Sequence, residues 1–350
     1  MSHEKYMQRA INLAKLGAGY VSPNPMVGAV IVHDNKIIGE GYHQKYGEAH
    51  AEVNAINWVL NNYFDAENRL QQSTIYVSLE PCSHFGKTPP CVDLLIKHQL
   101  AHVVIGCTDL NPLVGGKGIA KLQTAGIKVT YGVLENECID HNKRFFTSIN
   151  KQRPYIILKW AQTADGFFAP HGNLKHWITS ATAKTLVHKW RSQEDCILVG
   201  KNTALIDNPQ LNVRLVEGRN PKRAVIDRDL ELYKNLFLFD DSIETFVFNH
   251  KQTIIAGNTK YIGIEEFDYL LPQYILYQLY LNDVQSLIIE GGSKTLQTFI
   301  DANLWDEARV FIGKAKLLEG IKAPTIIGKL ISSCRVEDDN LKIIGTAQFP

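Results

Sequence analysis

The chain has 350 residues, enough for two ordinary domains that each bury a core without disulfide staples. Hydrophobic residues make up 45% and charged residues 21%, which excludes a disordered or fibrous chain. Lys and Arg number 37 against 36 Asp and Glu, net +1, with no long basic run; this excludes a broad nucleic-acid footprint and leaves a small anionic ligand open.

The opening segment MSHEKYMQRAINLAKLG carries Met7, Ala10, Ile11 and Ala14 at helical spacing. It predicts a helix over 4–15, ended by Gly17 and Gly19, and does not read as a signal peptide. VGAVIVH (27–33), the turn Asp34-Asn35 and KIIGEG predict a β-hairpin. A helix over 50–60, the strand TIYVSLE, a helix over 92–99, the strand HVVIGC, a helix over 119–124, the strand IKVTYG and a helix over 135–149 follow. The polar segment NKQRPY (150–155) places a domain boundary, giving domains 1–149 and 150–350. The second half begins with the strand YIILKWA and a helix over 181–191. The strands CILVG, RAVID, TFVFN and SLIIEGG, a helix over 294–301 and the strand EARVFIG come next, with 251–272 read as loops and short elements. Alternating strands and helices without an internal repeat predict layered α/β architecture. No apolar run approaches the ~18 residues of a membrane span, so no membrane partner is expected. The six cysteines (Cys82, Cys91, Cys107, Cys138, Cys196 and Cys334) are too few and too scattered for a disulfide scaffold. A cytoplasmic setting is expected, where thiols favour metal over disulfides.

The strongest local signal pairs HAE (50–52) with PCSHFGKTPPC (81–91). One imidazole and two thiolates, from His50, Cys82 and Cys91, fill three corners of a zinc tetrahedron; the fourth takes a water whose pKa the metal lowers. Glu52, not a ligand, is the candidate proton carrier between that water and a leaving amine. Residues two apart converge only where a helix begins, so His50 and Glu52 are expected at a helix start. Cys82, after a strand and Pro81, is also expected at one, where a thiol pKa falls. The pattern is that of zinc deaminases, H-x-E…P-C-x-x-C, with eight residues between the cysteines in place of two. A structural zinc closed by His84 as fourth ligand is the competing reading of the same residues. Lys117 in GGKG, among glycines whose N–H groups can approach an anion, is a candidate phosphate contact.

SPNPMVGAVIV, GYHQKYGEAHAE, EPCSHFGKTPPC and NPLVGGKGI…AGIKV resemble, in order, the deaminase half of the bifunctional riboflavin-biosynthesis deaminase/reductases. The resemblance implies a cytidine-deaminase-like three-layer α/β/α domain. It implies hydrolytic deamination of 2,5-diamino-6-(5-phosphoribosylamino)pyrimidin-4(3H)-one, with Asn24 contacting the pyrimidine. His43 and His84 flank the metal motifs and read as loop histidines near the site.

In the second half, EGGSKTLQTF (290–299) reads as a strand end, two glycines and a helix start, a place where a phosphate or an ordinary tight turn fits equally well. YIILKWAQTADG, HWITS, KWRSQEDCILVGKNTALIDNPQLNVR and IIEGGSKTLQTF are similar to the same family's reductase half, which implies a dihydrofolate-reductase-like α/β fold and NADPH as hydride donor. The resemblance assigns Ala161, Trp177, Thr203, Gly292, Ser293, Lys294, Thr295, Leu296, Gln297 and Thr298 to the cofactor. It assigns Lys159, Arg191, Leu211, Arg214 and Glu290 to the substrate, and Asp207 to both. Arg191 and Arg214 suit phosphate because guanidinium forks bind it bidentately, with ion pairing to Glu194 or Asp195 as the plainer alternative. The chain departs from the family at TADG (163–166) for SLDG, at Lys175 for a serine beside the substrate or cofactor, and in FIGKAKLLEG, which lacks an expected proline. These departures keep a deaminase with a degenerate reductase half as an alternative; an RNA adenosine deaminase is a second, and a non-catalytic zinc protein a third. The expected partner is a small pyrimidine ribosyl phosphate, not a nucleic acid, and the chain is expected to form a homo-oligomer.

Overall fold

Ser2 starts the fold by accepting the Glu4 N–H at the head of helix α1 (His3–Ala14). The computed structural model describes residues 2–85, 89–111, 115–172 and 177–346. The chain divides into two units, Met1–Lys151 and Gln152–Pro350. In the first, β1 (Gly28–His33) and β2 (Lys36–Tyr42) form the expected hairpin. Asp34 and Asn35 both have positive φ, as the twist of a tight two-residue turn requires. Helices α2 (Ala51–Asn62) and α3 (Ala66–Gln71) lead to β3 (Thr74–Leu79), followed by α4 (Cys91–Lys97), β4 (His102–Cys107), α5 (Lys117–Thr124), β5 (Lys128–Thr130), α6 (Glu135–His141) and α7 (Lys143–Lys151). The sheet order is β2-β1-β3-β4-β5, antiparallel across its first two pairings and parallel across the last two.

Strand periodicity sends alternate residues to opposite faces. Ala29, Ile31, Ile75, Val77, Val103 and Ile105 meet α2, α4 and α5 on one side. Val30, Val32, Tyr76 and Val104 meet α1 and the α6–α7 segment on the other, which makes a three-layer α/β/α arrangement. Gly39 and Gly41 let α2 lie directly on β2: a Cβ on Gly41 would stand 2.5 Å from the Ala51 carbonyl oxygen and 2.5 Å from the Ala55 nitrogen. That contact fixes where α2 begins, and therefore where His50 and Glu52 stand.

The second unit is built from β6 (Tyr155–Gln162), β7 (Phe167–Ala169), α8 (Ala181–Gln193), β8 (Cys196–Gly200), α9 (Lys201–Asp207), β9 (Lys222–Ile226), β10 (Thr245–Asn249), β11 (Ile254–Ala256), β12 (Thr259–Gly263), α10 (Leu271–Leu281), β13 (Ser286–Gly291), α11 (Ser293–Asp301), β14 (Glu307–Ile312), β15 (Ile321–Lys322), β16 (Lys329–Val336) and β17 (Asp339–Gly345). Its main sheet runs β11-β12-β10-β9-β8-β13-β6-β14-β17-β16, parallel from β12 to β14. Helices α10 and α11 cover one face, over Leu158, Leu198, Phe246 and Leu287. The other face, with Ile157, Val199 and Val225, is covered by Ala204 of α9 and by Leu211, Leu232 and Leu238.

Three expectations change. The helix foreseen over 135–149 is interrupted at Asn142. Cys82 opens no helix; Cys91 does, as the first residue of α4 after Pro90. Helices α3, α9 and α10 were not foreseen. Two are short, and α10, LPQYILYQLYL, is apolar nearly all round, which erases the period that marks a helix.

Candidate functional site

His50 is the N-cap of α2, in extended backbone (φ −73°, ψ 167°), and Glu52 lies in the first turn of that helix. The turn-in of the chain brings together two side chains that regular helix geometry would hold apart. Cys82 arrives from the loop after β3, and its sulfur accepts the N–H of Cys91 at 3.3 Å. The His50 Nδ1 lies 3.7 Å from the Cys82 sulfur and 3.4 Å from the Cys91 sulfur, and all three ligand atoms fall within 4.8 Å of one another. Zinc bonds of ~2.0 Å to nitrogen and ~2.3 Å to sulfur at a tetrahedral angle set an N···S edge of about 3.5 Å, so the donor set fits that ion. His84 is exposed and does not join the cluster, which removes the fourth protein ligand that a closed structural site would need.

Glu52 is 3% exposed. Burial, and then the neighbouring Cys82 sulfur, push its carboxyl up to about 7. The Cys82 thiol is driven down by the Cys91 thiol, with His50 and the Cys91 N–H adding to the effect. His43, also buried, packs edge-on to His50 at 5.2 Å between ring centroids. Burial lowers its pKa and keeps the ring neutral, so Nδ1–H donates to the Ala49 carbonyl at 3.1 Å and Nε2 accepts from Asn24 Nδ2 at 3.1 Å.

Glu80 makes contacts that residue type alone did not mark. The buried Glu80 carboxylate accepts the N–H groups of Asp109, Gly116, Gly118 and Ile119. The glycine-flanked N–H groups foreseen as an anion cradle around Lys117 are thus already filled by the residue two before Cys82. A buried acid followed by Pro-Cys was the available signal.

In the second unit several of the assigned residues follow the carboxyl ends of parallel strands β6, β8 and β13, the edge at which open α/β sheets bind ligands. Ala161 lies on β6, Thr203 and Asp207 on α9, and the 292–298 stretch forms the α11 N-terminus with Gly292 as N-cap. A Cβ at Gly292 would sit 3.2 Å from Thr203 Oγ1, so a larger residue there would press on the Thr203 hydroxyl. Gly292 has no side-chain cap of its own, and the helix start leaves backbone N–H groups suited to a dinucleotide phosphate. Ser293 Oγ donates to the Lys322 carbonyl, and Gln297 bridges Asp301 and Thr325. Lys294 is exposed, Thr295 and Thr298 are partly buried, and Trp177 is 60% exposed with Lys184 over its ring. Leu296 and Leu211 are packed into cores, so a ligand would meet their backbone.

Lys159, Glu290 and Arg191 form one cluster. Strand register sets Lys159 beside Glu290, because Leu158 pairs with Ile289. Arg191 grips Glu290 with Nε and Nη2, at 2.8 and 2.7 Å, and gives Nη1 to the Asn212 carbonyl. Burial alone would raise Glu290; Arg191, with Lys159 and His188, overrides it and holds the carboxyl at about 2. Burial lowers the Lys159 pKa. The Arg191 partner is thus Glu290, neither Glu194 nor Asp195; Asp195 pairs with Arg219. The exposed guanidinium is that of Arg214, braced on Asn212. Lys175 lies outside the described residues. In TADG, the Thr163 hydroxyl donates to Asp165, whose carboxylate accepts the N–H groups of Leu317 and Leu318, so the turn keeps a hydroxyl where the family pattern has serine.

Residues 1–107 match the family model described as the cytidine and deoxycytidylate deaminase zinc-binding region, and residues 154–347 match the RibD C-terminal domain. The riboflavin biosynthesis protein RibD of Aquifex aeolicus is 39% identical over 346 residues, 97% of this chain and 93% of that protein. RibD of Escherichia coli is 36% identical over 329 residues, 89% of this chain and 88% of that protein. RibD of Acinetobacter baumannii superposes with a TM-score of 0.89 at 31% identity over 99% of both chains. The Thermotoga maritima diaminohydroxyphosphoribosylaminopyrimidine deaminase/5-amino-6-(5-phosphoribosylamino)uracil reductase gives 0.89 at 36% identity over 98% of both. With both halves matched in order along nearly the whole length, the chain belongs to the RibD family of riboflavin-biosynthesis enzymes, which join a zinc-dependent deaminase to an NADPH-dependent reductase.

Proposed function

We propose that the first unit removes the 2-amino group of 2,5-diamino-6-(5-phosphoribosylamino)pyrimidin-4(3H)-one by hydrolysis, and that the second reduces the ribosyl group of the product to a ribityl chain. The convergence of His50, Cys82 and Cys91 on one point, with Glu52 buried in the same helix turn, carries this reading. When bound by these three residues, zinc supplies an acidified water, and NADPH in the second unit supplies hydride. Glu52 takes one proton from the attacking water and delivers it to the ring nitrogen, then takes the proton of the newly added hydroxyl and delivers it to the amine, which leaves as ammonia while the carbon becomes a carbonyl. Asn24, held by neutral His43, reads the pyrimidine edge.

In the second unit, Ala161, Trp177, Thr203, Asp207 and the 292–298 stretch hold the cofactor. Lys159, Asp207, Leu211, Arg214 and Glu290 hold the ribosyl phosphate, with the exposed Arg214 as its anion contact and Arg191 as the strut that fixes Glu290. Residues 1–149 form the deaminase and 150–350 the reductase, a division supported by the break between Lys151 and Gln152. Self-association is supported by the edge strand β16, where Leu330 and Ile331 are 55% and 58% exposed. A cytoplasmic setting is supported by the six free cysteines. Among the described residues no helix is long and apolar enough to cross a membrane.

Incubation with the diaminopyrimidine ribosyl phosphate, with and without NADPH, tests the reading. Ammonia is expected in both cases, and NADPH oxidation only after deamination. Ammonia without NADPH oxidation would leave a deaminase alone, and no ammonia from this substrate would overturn the reading.

A further inference from the structure

The interruption at Asn142 has a visible cause. Asn is a weak helix former because its side chain competes for backbone groups. Asn142 is 1% exposed and closes α6, while its own carbonyl accepts the Phe146 N–H that starts α7. Its side chain turns to a segment 116 residues away: Oδ1 accepts the Met26 N–H at 2.9 Å and Nδ2 donates to the Met26 carbonyl at 3.0 Å. This reciprocal pair imitates a strand pairing and satisfies both polar groups of a loop residue that has no ladder partner. Met26 stands two residues after Asn24, and the next residue, Val27, accepts the His43 N–H at 2.9 Å. Asn24 bonds His43, His43 bonds the Ala49 carbonyl, and Ala49 precedes His50. Asn54 also donates to Ala49, at 3.3 Å, which closes the path onto α2. Asn142 lies outside both segments matched by family models, 1–107 and 154–347.

We propose that Asn142 is a positioning residue for deamination: by clamping the Met26 backbone it holds Asn24 in register with His43 and the metal-binding helix start. The inference rests on the reading of Asn24 as the pyrimidine contact. Its consequence is specific. Loss of the clamp frees the loop that binds the ring but leaves His50, Cys82, Cys91 and Glu52 where they are, so substrate affinity suffers before chemistry. Asn142→Asp keeps the shape and the acceptor, yet sets a second oxygen against the Met26 carbonyl, so it breaks half of the pair without opening a cavity.

The test uses the full-length zinc-loaded enzyme and four variants: Asn24→Ala, Asn142→Ala, Asn142→Asp and the double Asn24→Ala/Asn142→Ala. Each Asn142 variant is expected to raise the deaminase KM for the diaminopyrimidine ribosyl phosphate about tenfold, with kcat within about threefold. Zinc content and the rate of reducing the deaminated product are expected to stay at wild-type values. In the Asn24→Ala background, adding Asn142→Ala is expected to change KM by less than about twofold, because the two act through one contact. An unchanged KM in Asn142→Asp, or effects that multiply in the double variant, would overturn the proposal while the Asn24 reading stands. An unchanged KM in Asn24→Ala removes that reading and the inference with it. If Asn142→Ala fails to fold, Asn142→Asp decides.

Discussion

Glu52 and Glu290 are both glutamates withdrawn from water, and they finish at opposite ends of the carboxylate range. Glu52 rises to about 7, because burial is joined by the negative sulfur of Cys82. Glu290 is held at about 2, because the Arg191 guanidinium, seconded by Lys159, outweighs a similar burial. Burial therefore decides only that the charge matters; the neighbour decides its sign. In the proposed reaction the first carboxyl is the one that takes and returns a proton. The second stays charged and braces Arg191, so one residue type takes opposite electrostatic states in the two units.

The comparison breaks first at Glu52. Glu52→Gln is expected to cut deamination by about 10²–10⁴-fold. Metal analysis should find zinc retained, and NADPH oxidation with the deaminated pyrimidine should be unchanged; normal ammonia release would show that Glu52 carries no proton. At Glu290 the effect should fall on stability. Glu290→Ala strands the buried Arg191 and Lys159 without their counter-charge, at a cost of about 3–5 kcal/mol, whereas Glu290→Met with Arg191→Leu and Lys159→Met recovers most of it. Chemical denaturation of the second unit measures both.

The same pair sets an acid limit. A carboxyl held below its ordinary value of 4.5 contributes fully above that pH, and the contribution is lost as pH falls through about 2. Melting temperatures between pH 4.5 and 2 should therefore fall more steeply for the wild type than for Glu290→Gln; parallel curves would deny the pair its role. Gly41→Ala sharpens the comparison from the side of the first unit. The added Cβ meets backbone of α2 2.5 Å away, so α2 must shift, with a loss of about 1–3 kcal/mol and weaker zinc retention against a chelator. The smallest effect is expected for Thr163→Ala, about 1 kcal/mol, from the lost bonds to Asp165 and to the Phe167 N–H.

The clustering of His50, Cys82 and Cys91 was legible because the donors are compressed into two short segments, HAE and PCSHFGKTPPC, whose residue types admit few other uses. The hairpin over 28–42 was legible because its turn and alternation are local. Helix α10 was not, because an element apolar on nearly every side carries no period to read. Arg191 was read as a phosphate clamp because its partner lies 99 residues away on another strand. Asn142 could not be read at all, because its partner is a backbone, and a backbone leaves no trace in residue type.

The order of amino acids by itself marked the donors that suit a metal, a nitrogen and two sulfurs with one carboxylate beside them, and a glycine-led helix start that left a phosphate site and an ordinary turn equally open. Tertiary structure alone decided which buried carboxyl is held charged and which is pushed toward its neutral form. A pKa depends on the solvent removed and on the charge brought within a few ångströms, and strand register and helix packing set both.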